Sequence, residues 1–200
     1  MAEVVVRHRA LLTVGMGTAV TLLCGWFAFP YALFRRIEQP IQFSHKVHTG
    51  EKVGLACEEC HTLTADGRFS GIPKLEKCAA CHAEPQGKTA DEKRLIGEFV
   101  KPGREIPWLV YSRQPENVYF AHAPHLKLAG LACARCHGQH GASDRLRPFE
   151  QNRLSTYSRD IWGRSPTRLR RAQFEGMTMA DCSDCHRQYG VRESCLTCHR

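Results

Sequence analysis

The chain has 200 residues, with 28 Lys or Arg against 20 Asp or Glu, a formal charge of +8, 11 Cys and 11 His. That length allows one compact domain and, with 8% aromatic residues, excludes a large core of side chains alone. So basic a chain raises nucleic-acid binding first, a reading that the compartment argued below removes.

Residues 1–9 carry Arg7 and Arg9 and are followed by an uncharged run from Ala10 to Phe34. As a helix that run reaches about 37 Å at 1.5 Å per residue, enough to cross a bilayer. Trp26, Phe27, Phe29, Tyr31 and Phe34 cluster at its end like an interfacial aromatic belt, and Arg35 and Arg36 close it. A cleaved signal peptide would be shorter and end in small residues. The Trp-Phe-Ala-Phe-Pro-Tyr ending is a poor cleavage site, so residues 10–34 are predicted to be an uncleaved transmembrane signal anchor. Cys24 within it reads as a membrane-buried thiol, since Leu23 before it is too bulky for a lipoprotein site.

Next come Phe43-Ser-His45-Lys-Val-His48 and Gly54-Leu-Ala-Cys57-Glu-Glu-Cys60-His61, then Cys78-Ala-Ala-Cys81-His82. A stretch without motifs, 83–119, carries Pro85, Pro102, Pro107 and Pro115. Then Phe120-Ala-His122-Ala-Pro-His125 precedes Gly130-Leu-Ala-Cys133-Ala-Arg-Cys136-His137. A second such stretch, 138–181, holds Arg145, Arg147, Arg153, Arg159, Arg164, Arg168, Arg170 and Arg171. The chain closes on Cys182-Ser-Asp-Cys185-His186 and Cys195-Leu-Thr-Cys198-His199.

Cys-x-x-Cys-His thus occurs five times, and it is the attachment signature of a c-type haem. Two thiols bond the porphyrin edge, and the adjacent His reaches the iron. Zinc sites and redox dithiols also use Cys-x-x-Cys but do not need His next to every pair. A disulfide framework explains neither the two-residue gap nor the His. The cofactor expected is haem c, five by motif count. Cys24 leaves a single-thiol attachment of one further haem open, without positive support.

The Phe-x-His-x-x-His stretch followed by Gly-Leu-Ala-Cys-x-x-Cys-His occurs twice, a duplicated haem-binding unit. Histidines three apart are neighbours on a helical turn, so each pair can serve two adjacent haems. The proximal ligands are His61, His82, His137, His186 and His199. The distal candidates are His45, His48, His122, His125 and His140, with Met179 as the competitor of His140 for the fifth place. A His/Met haem would have a higher potential than the bis-His ones. Supply therefore equals demand, which predicts six-coordinate electron-transfer haems and no open catalytic iron.

Little more than 160 residues remain for five haems, so the haems must form the core, wrapped by short helices and loops. Their propionates account for much of the basic excess. Covalent haem c is attached outside the cytoplasm. This places residues 1–9 in the cytoplasm, 35–200 as a periplasmic multihaem domain (repeat units about 41–82 and 118–199), and nucleic acid out of reach. The two stretches without motifs are either solvated loops with Arg on propionates or docking surface for partner subunits.

These features resemble the membrane-anchored multihaem cytochrome subunit of two related bacterial complexes, the menaquinone reductase of sulfate reducers and alternative complex III. Further residues that carry the resemblance are Ile106-Pro-Trp108, Pro115-Glu-Asn-Val-Tyr119-Phe120-Ala-His122, Cys136-His137-Gly138 and Met179 before Cys182. The His-pair units themselves resemble class III cytochromes c. The resemblance implies a mainly α and irregular fold of class III-like units behind one N-terminal transmembrane helix. It implies inner-membrane location and three companions: a molybdopterin-oxidoreductase-like subunit, an iron–sulfur subunit and a polytopic quinone-binding subunit. The favoured function is electron transfer from a periplasmic tetrahaem cytochrome c toward menaquinone, by a subunit that is not catalytic by itself. The alternatives are quinol oxidation in alternative complex III, and a quinol dehydrogenase cytochrome feeding a periplasmic nitrate or nitrite reductase. Five motifs and duplicated His pairs argue against the last.

Overall fold

The computed structural model describes residues 2–68, 70–158 and 178–199. Arg159, Arg164, Arg168, Arg170 and Arg171 of the second stretch without motifs lie outside these.

The N-terminal segment is helical from α1 (Ala2–Leu23) through a π-helical stretch, Cys24–Ala28, into α2 (Phe29–Leu33). Val5–Ala28 is the one helical segment among the described residues long and apolar enough to cross a membrane. The hydroxyls of Thr13, Thr18 and Thr21 donate to the carbonyls of Arg9, Val14 and Gly17, each at 2.9 Å. Their polarity is thereby satisfied inside the helix itself, as an apolar surrounding requires.

At Phe34 the backbone turns extended and begins β1 (Phe34–Ile37). It pairs antiparallel with β2 (Phe149–Asn152), Phe34 opposite Asn152 and Ile37 opposite Phe149. The Arg35 Nε donates to Gln151 Oε1 at 2.7 Å, and the Arg153 amide to the Leu33 carbonyl at 2.8 Å. The foot of the anchor is thus tied to a strand more than a hundred residues away.

The remaining helices are short: α3 (His45–Thr49), α4 (Cys57–Cys60), α5 (Leu75–His82), α6 (Ala90–Arg94), α7 (Ala134–His137), α8 (Met179–Gln188) and α9 (Cys195–Cys198). α6 runs on into a π-helical stretch, Leu95–Val100. Thr89 caps α6, its hydroxyl accepting from the Glu92 amide at 3.1 Å.

The apolar core is small and lies to one side. Ile41, Leu75, Leu95, Phe99 and Ile106 form it, with Cys78, Val100 and Trp108 packed against them. Gln39 is buried and pairs with Leu109 as a strand would: its Nε2 donates to the Leu109 carbonyl (2.9 Å) and its Oε1 accepts the Leu109 amide (3.1 Å). The 83–119 stretch, read from sequence as solvated loop or docking surface, therefore supplies Leu95, Phe99 and Ile106 to the core. It packs against α5 and braces the second Cys-x-x-Cys-His motif.

Candidate haem-binding site

Four of the motifs form helical turns: Cys57–Cys60, the end of α5, the first turns of α8, and α9. Cys133 stands just before α7 as its N-cap. Cysteines three apart on such a turn present both thiols to one side, and none of the eleven cysteines is in a disulfide. Asp181 begins α8 by accepting from the Thr178 amide (2.8 Å) and hydroxyl (2.7 Å).

The duplication seen in sequence is also a duplication in space. Phe43 meets His45 edge-on at 4.9 Å and stacks on His48 at 4.2 Å. Phe120 meets His122 edge-on at 4.9 Å and stacks on His125 at 4.8 Å. Each unit then turns through a glycine with positive φ, Gly54 at 72° and Gly130 at 62°. Only glycine holds that backbone without a Cβ clash. The turn brings the Leu55 amide onto the His48 carbonyl (2.9 Å) and the Leu131 amide onto the His125 carbonyl (3.0 Å).

Each histidine of the two pairs faces a histidine from a motif. Ring centres lie 6.4 Å apart for His45 and His61, 6.1 Å for His48 and His82, 6.3 Å for His122 and His137, and 6.2 Å for His125 and His186. An imidazole nitrogen sits about 2 Å from a metal it ligates and about 1.1 Å from its own ring centre, so two rings on one iron lie about 6.2 Å apart. All four pairs have this spacing, and the residues fit haem iron held from both faces.

The hydrogen bonds select the ligating nitrogen. Nδ1 of His48 donates to the Ser44 carbonyl (2.7 Å) and Nδ1 of His125 to the Ala121 carbonyl (2.8 Å), at matching places in the repeat. His61 donates to the Gly71 carbonyl (2.7 Å), His122 to the Arg68 carbonyl (2.8 Å) and His82 to the Glu92 carboxylate (2.9 Å). These acceptors fix the proton on Nδ1 and leave the Nε2 lone pair for a metal. Burial, then His61 and His48, lowers the pKa of His45. Burial, then His122, His61 and Arg147, lowers that of His137. Both rings are therefore neutral at neutral pH, as ligation requires.

Contacts between motifs join the units. Burial raises the Cys133 thiol pKa, followed by the nearby Cys57. Burial and then Cys60 act on Cys78, burial and then Cys185 on Cys136, and burial and then Cys198 on Cys182. The first and third motifs are also cross-braced. The Ala123 amide donates to the Gly67 carbonyl (3.0 Å), and the Lys46 amide to the Ser143 carbonyl (3.1 Å). Ser143 Oγ lies 3.3 Å from His45 Nδ1.

The two contenders for the fifth distal place stand apart. His140 opens a short helical turn beside α3. Burial, then Arg147, His137 and His45, pushes its pKa down to about 4, so it lies at the junction of the first and third motifs. Met179 opens α8 one turn before Cys182 and is 74% exposed. The sequence reading missed Glu92, Ser143, Arg68 and Gly71 as partners of the imidazoles. Three of these four contacts use a backbone carbonyl or a lone hydroxyl, which carry no sequence signature. Glu92 alone offered one, as the Glu of a Thr-x-x-Glu helix start.

The class III cytochrome c family matches residues 30–101 of the chain. The multihaem cytochrome c subunit of menaquinone reductase from Nitratidesulfovibrio vulgaris (strain Hildenborough) is 37% identical over 92% of this chain and 88% of that protein. The chain carries c-type haem and transfers electrons, and it belongs to the family of menaquinone reductase multihaem cytochrome c subunits.

Proposed function

We propose that the chain is a five-haem electron conduit between a periplasmic cytochrome c and the menaquinone pool, and that four imidazole pairs set its layout. The 6.1–6.4 Å spacing of those pairs carries the reading. When bound, each haem supplies a one-electron couple at its iron. Site 1 comprises Cys57, Cys60, His61 and His45; site 2, Cys78, Cys81, His82 and His48. Site 3 comprises Cys133, Cys136, His137 and His122; site 4, Cys182, Cys185, His186 and His125. Site 5 comprises Cys195, Cys198 and His199.

The sites form a row in the order 2, 1, 3, 4, 5. His45 and His48 share α3 and so join sites 1 and 2; His122 and His125 share one turn and join sites 3 and 4. The bonds of His122 Nδ1 to the Arg68 carbonyl and of the Ala123 amide to the Gly67 carbonyl join sites 1 and 3. The Tyr119 amide donates to the Cys198 carbonyl, and burial and then Cys198 act on the Cys182 thiol, which sets site 5 beside site 4. In sites 1 to 4 two imidazoles would hold each iron, so the chain's residues there would serve electron transfer and not bond chemistry. For site 5 the nearness of Cys198 to α8 favours Met179 over His140 as distal ligand. Met179→His is expected to lower one haem potential in a redox titration, because a thioether holds the iron at higher potential than an imidazole. Five unchanged potentials would remove Met179 from the site.

Residues 1–9 are cytoplasmic, 10–34 span the inner membrane, and 35–200 stand in the periplasm. The companions are a molybdopterin-oxidoreductase-like, an iron–sulfur and a quinone-binding subunit. The complex isolated through this chain is expected to contain five covalent haems per chain and to reduce a menaquinone analogue from a reduced tetrahaem cytochrome c. Quinol oxidation without quinone reduction would reverse the direction, and purification without companions would overturn the assembly.

A further inference from the structure

We infer that Glu92 is a positioning residue that depresses the potential of site 2 by accepting the Nδ1 proton of His82. The inference rests on the reading that His82 and His48 ligate one iron. Among the five imidazoles whose Nδ1 donates to a fixed acceptor, four meet a backbone carbonyl: His48, His61, His122 and His125. Only His82 meets a carboxylate, at 2.9 Å.

The difference has a definite sign. A carboxylate pulls the Nδ1 proton harder than a neutral carbonyl, so the ring gains imidazolate character and donates more charge through Nε2. The negative charge and the stronger donor both favour the ferric over the ferrous iron. Site 2 is thereby lower in potential than a carbonyl partner would leave it.

The carboxylate is built to remain charged and in place. Its residue is 9% exposed. Oε1 accepts the Gln86 amide at 2.7 Å along with the His82 ring, and Oε2 accepts the Gly87 amide at 2.8 Å. Thr89 holds the Glu92 backbone from the helix cap. A second carboxylate, Glu105, accepts the Leu75 amide at 3.0 Å, at the start of the helix that carries Cys78, Cys81 and His82. The second motif thus has fixed negative charge on two sides. Because site 2 ends the row, Glu92 gives the conduit a low-potential terminus next to site 1.

The test is a redox titration of the complex, followed by optical and electron paramagnetic resonance spectra, with haem per chain counted by mass. Glu92→Gln keeps the side chain's size and one acceptor but removes the charge. It is expected to favour reduction of one haem about tenfold, which is about 59 mV for a one-electron couple. The other potentials and the haem count should stay as they are. Glu92→Asp keeps the charge on a shorter arm and should give a smaller rise; it serves alone if the Gln variant fails to assemble. Thr89→Ala weakens the same helix cap without touching the His82 bond. If it moves the potential as far as Glu92→Gln does, Glu92 acts through helix stability and the inference falls. His48→Ala separates the underlying reading: a new high-spin haem upholds the ligand pair, and none removes it. A high-spin haem in His48→Ala together with unmoved potentials in Glu92→Gln overturns the role of Glu92 alone.

Discussion

Expressed without covalent haem attachment, residues 35–200 are expected to show no cooperative melting transition and to be digested at protease levels the haem-bound protein survives. The reason lies in how little side-chain core the chain builds. Only seven apolar side chains are buried among the described residues, five of them in the cluster around Leu75 and Phe99. One buried apolar side chain contributes about 1.5–3 kcal/mol, roughly the cost of ordering one or two backbone residues. The described part of the second unit, 118–158 and 178–199, contains one buried apolar side chain, Phe149, to set against that cost. Covalent and axial attachment gives each site several fixed points and replaces the missing core, so binding and folding are one event. Circular dichroism melts of the two forms check this. A cooperative transition in the haem-free chain at the temperature of the haem-bound one would sink the argument.

The parts of this fold legible in sequence are those encoded within a dozen residues. A Cys-x-x-Cys-His motif is local covalent chemistry, and the Phe-x-His-x-x-His unit repeats almost residue for residue. Which histidine of a pair faces which motif was not legible, because His45 and His48 are equivalent in sequence. They are told apart only by the helices that the chain later packs against them. The β-ribbon was missed for the same reason. Phe34–Ile37 and Phe149–Asn152 are four-residue segments without a period-two pattern, and they pair at a distance of over a hundred residues. The 83–119 stretch misled through its prolines. Thr89-Ala-Asp-Glu92 is a helix start by sequence rule, yet in the fold the Glu92 carboxylate serves Gln86, Gly87 and His82 instead of the cap. The tertiary demand of the imidazole outweighed the local one.

Replacing Cys133 and Cys136 by serine is expected to remove one haem per chain and to abolish electron traffic between the two ends of the row. Among the described residues, site 3 is the site of the second unit whose ligand candidate is hydrogen-bonded to the first. Its first cysteine is close enough to Cys57 of site 1, and its second to Cys185 of site 4, that after burial each neighbour raises the thiol pKa. Its distal candidate His122 is held by the Arg68 carbonyl, on the loop that follows site 1. The first unit, with its own apolar cluster, should keep its two haems, so the loss would be one of connection. The matching change at the end of the row, Cys195 and Cys198 to serine, supplies the contrast. It too removes one haem, but sites 2, 1, 3 and 4 remain contiguous, so an electron given to one unit should still equilibrate with the other. Rapid reduction of one end by a photoexcited donor, with the spectra of the remaining haems followed in time, distinguishes the two variants. If the site 3 variant equilibrates across its units as fast as the site 5 variant, the order 2, 1, 3, 4, 5 is wrong and a second path must bridge the repeats.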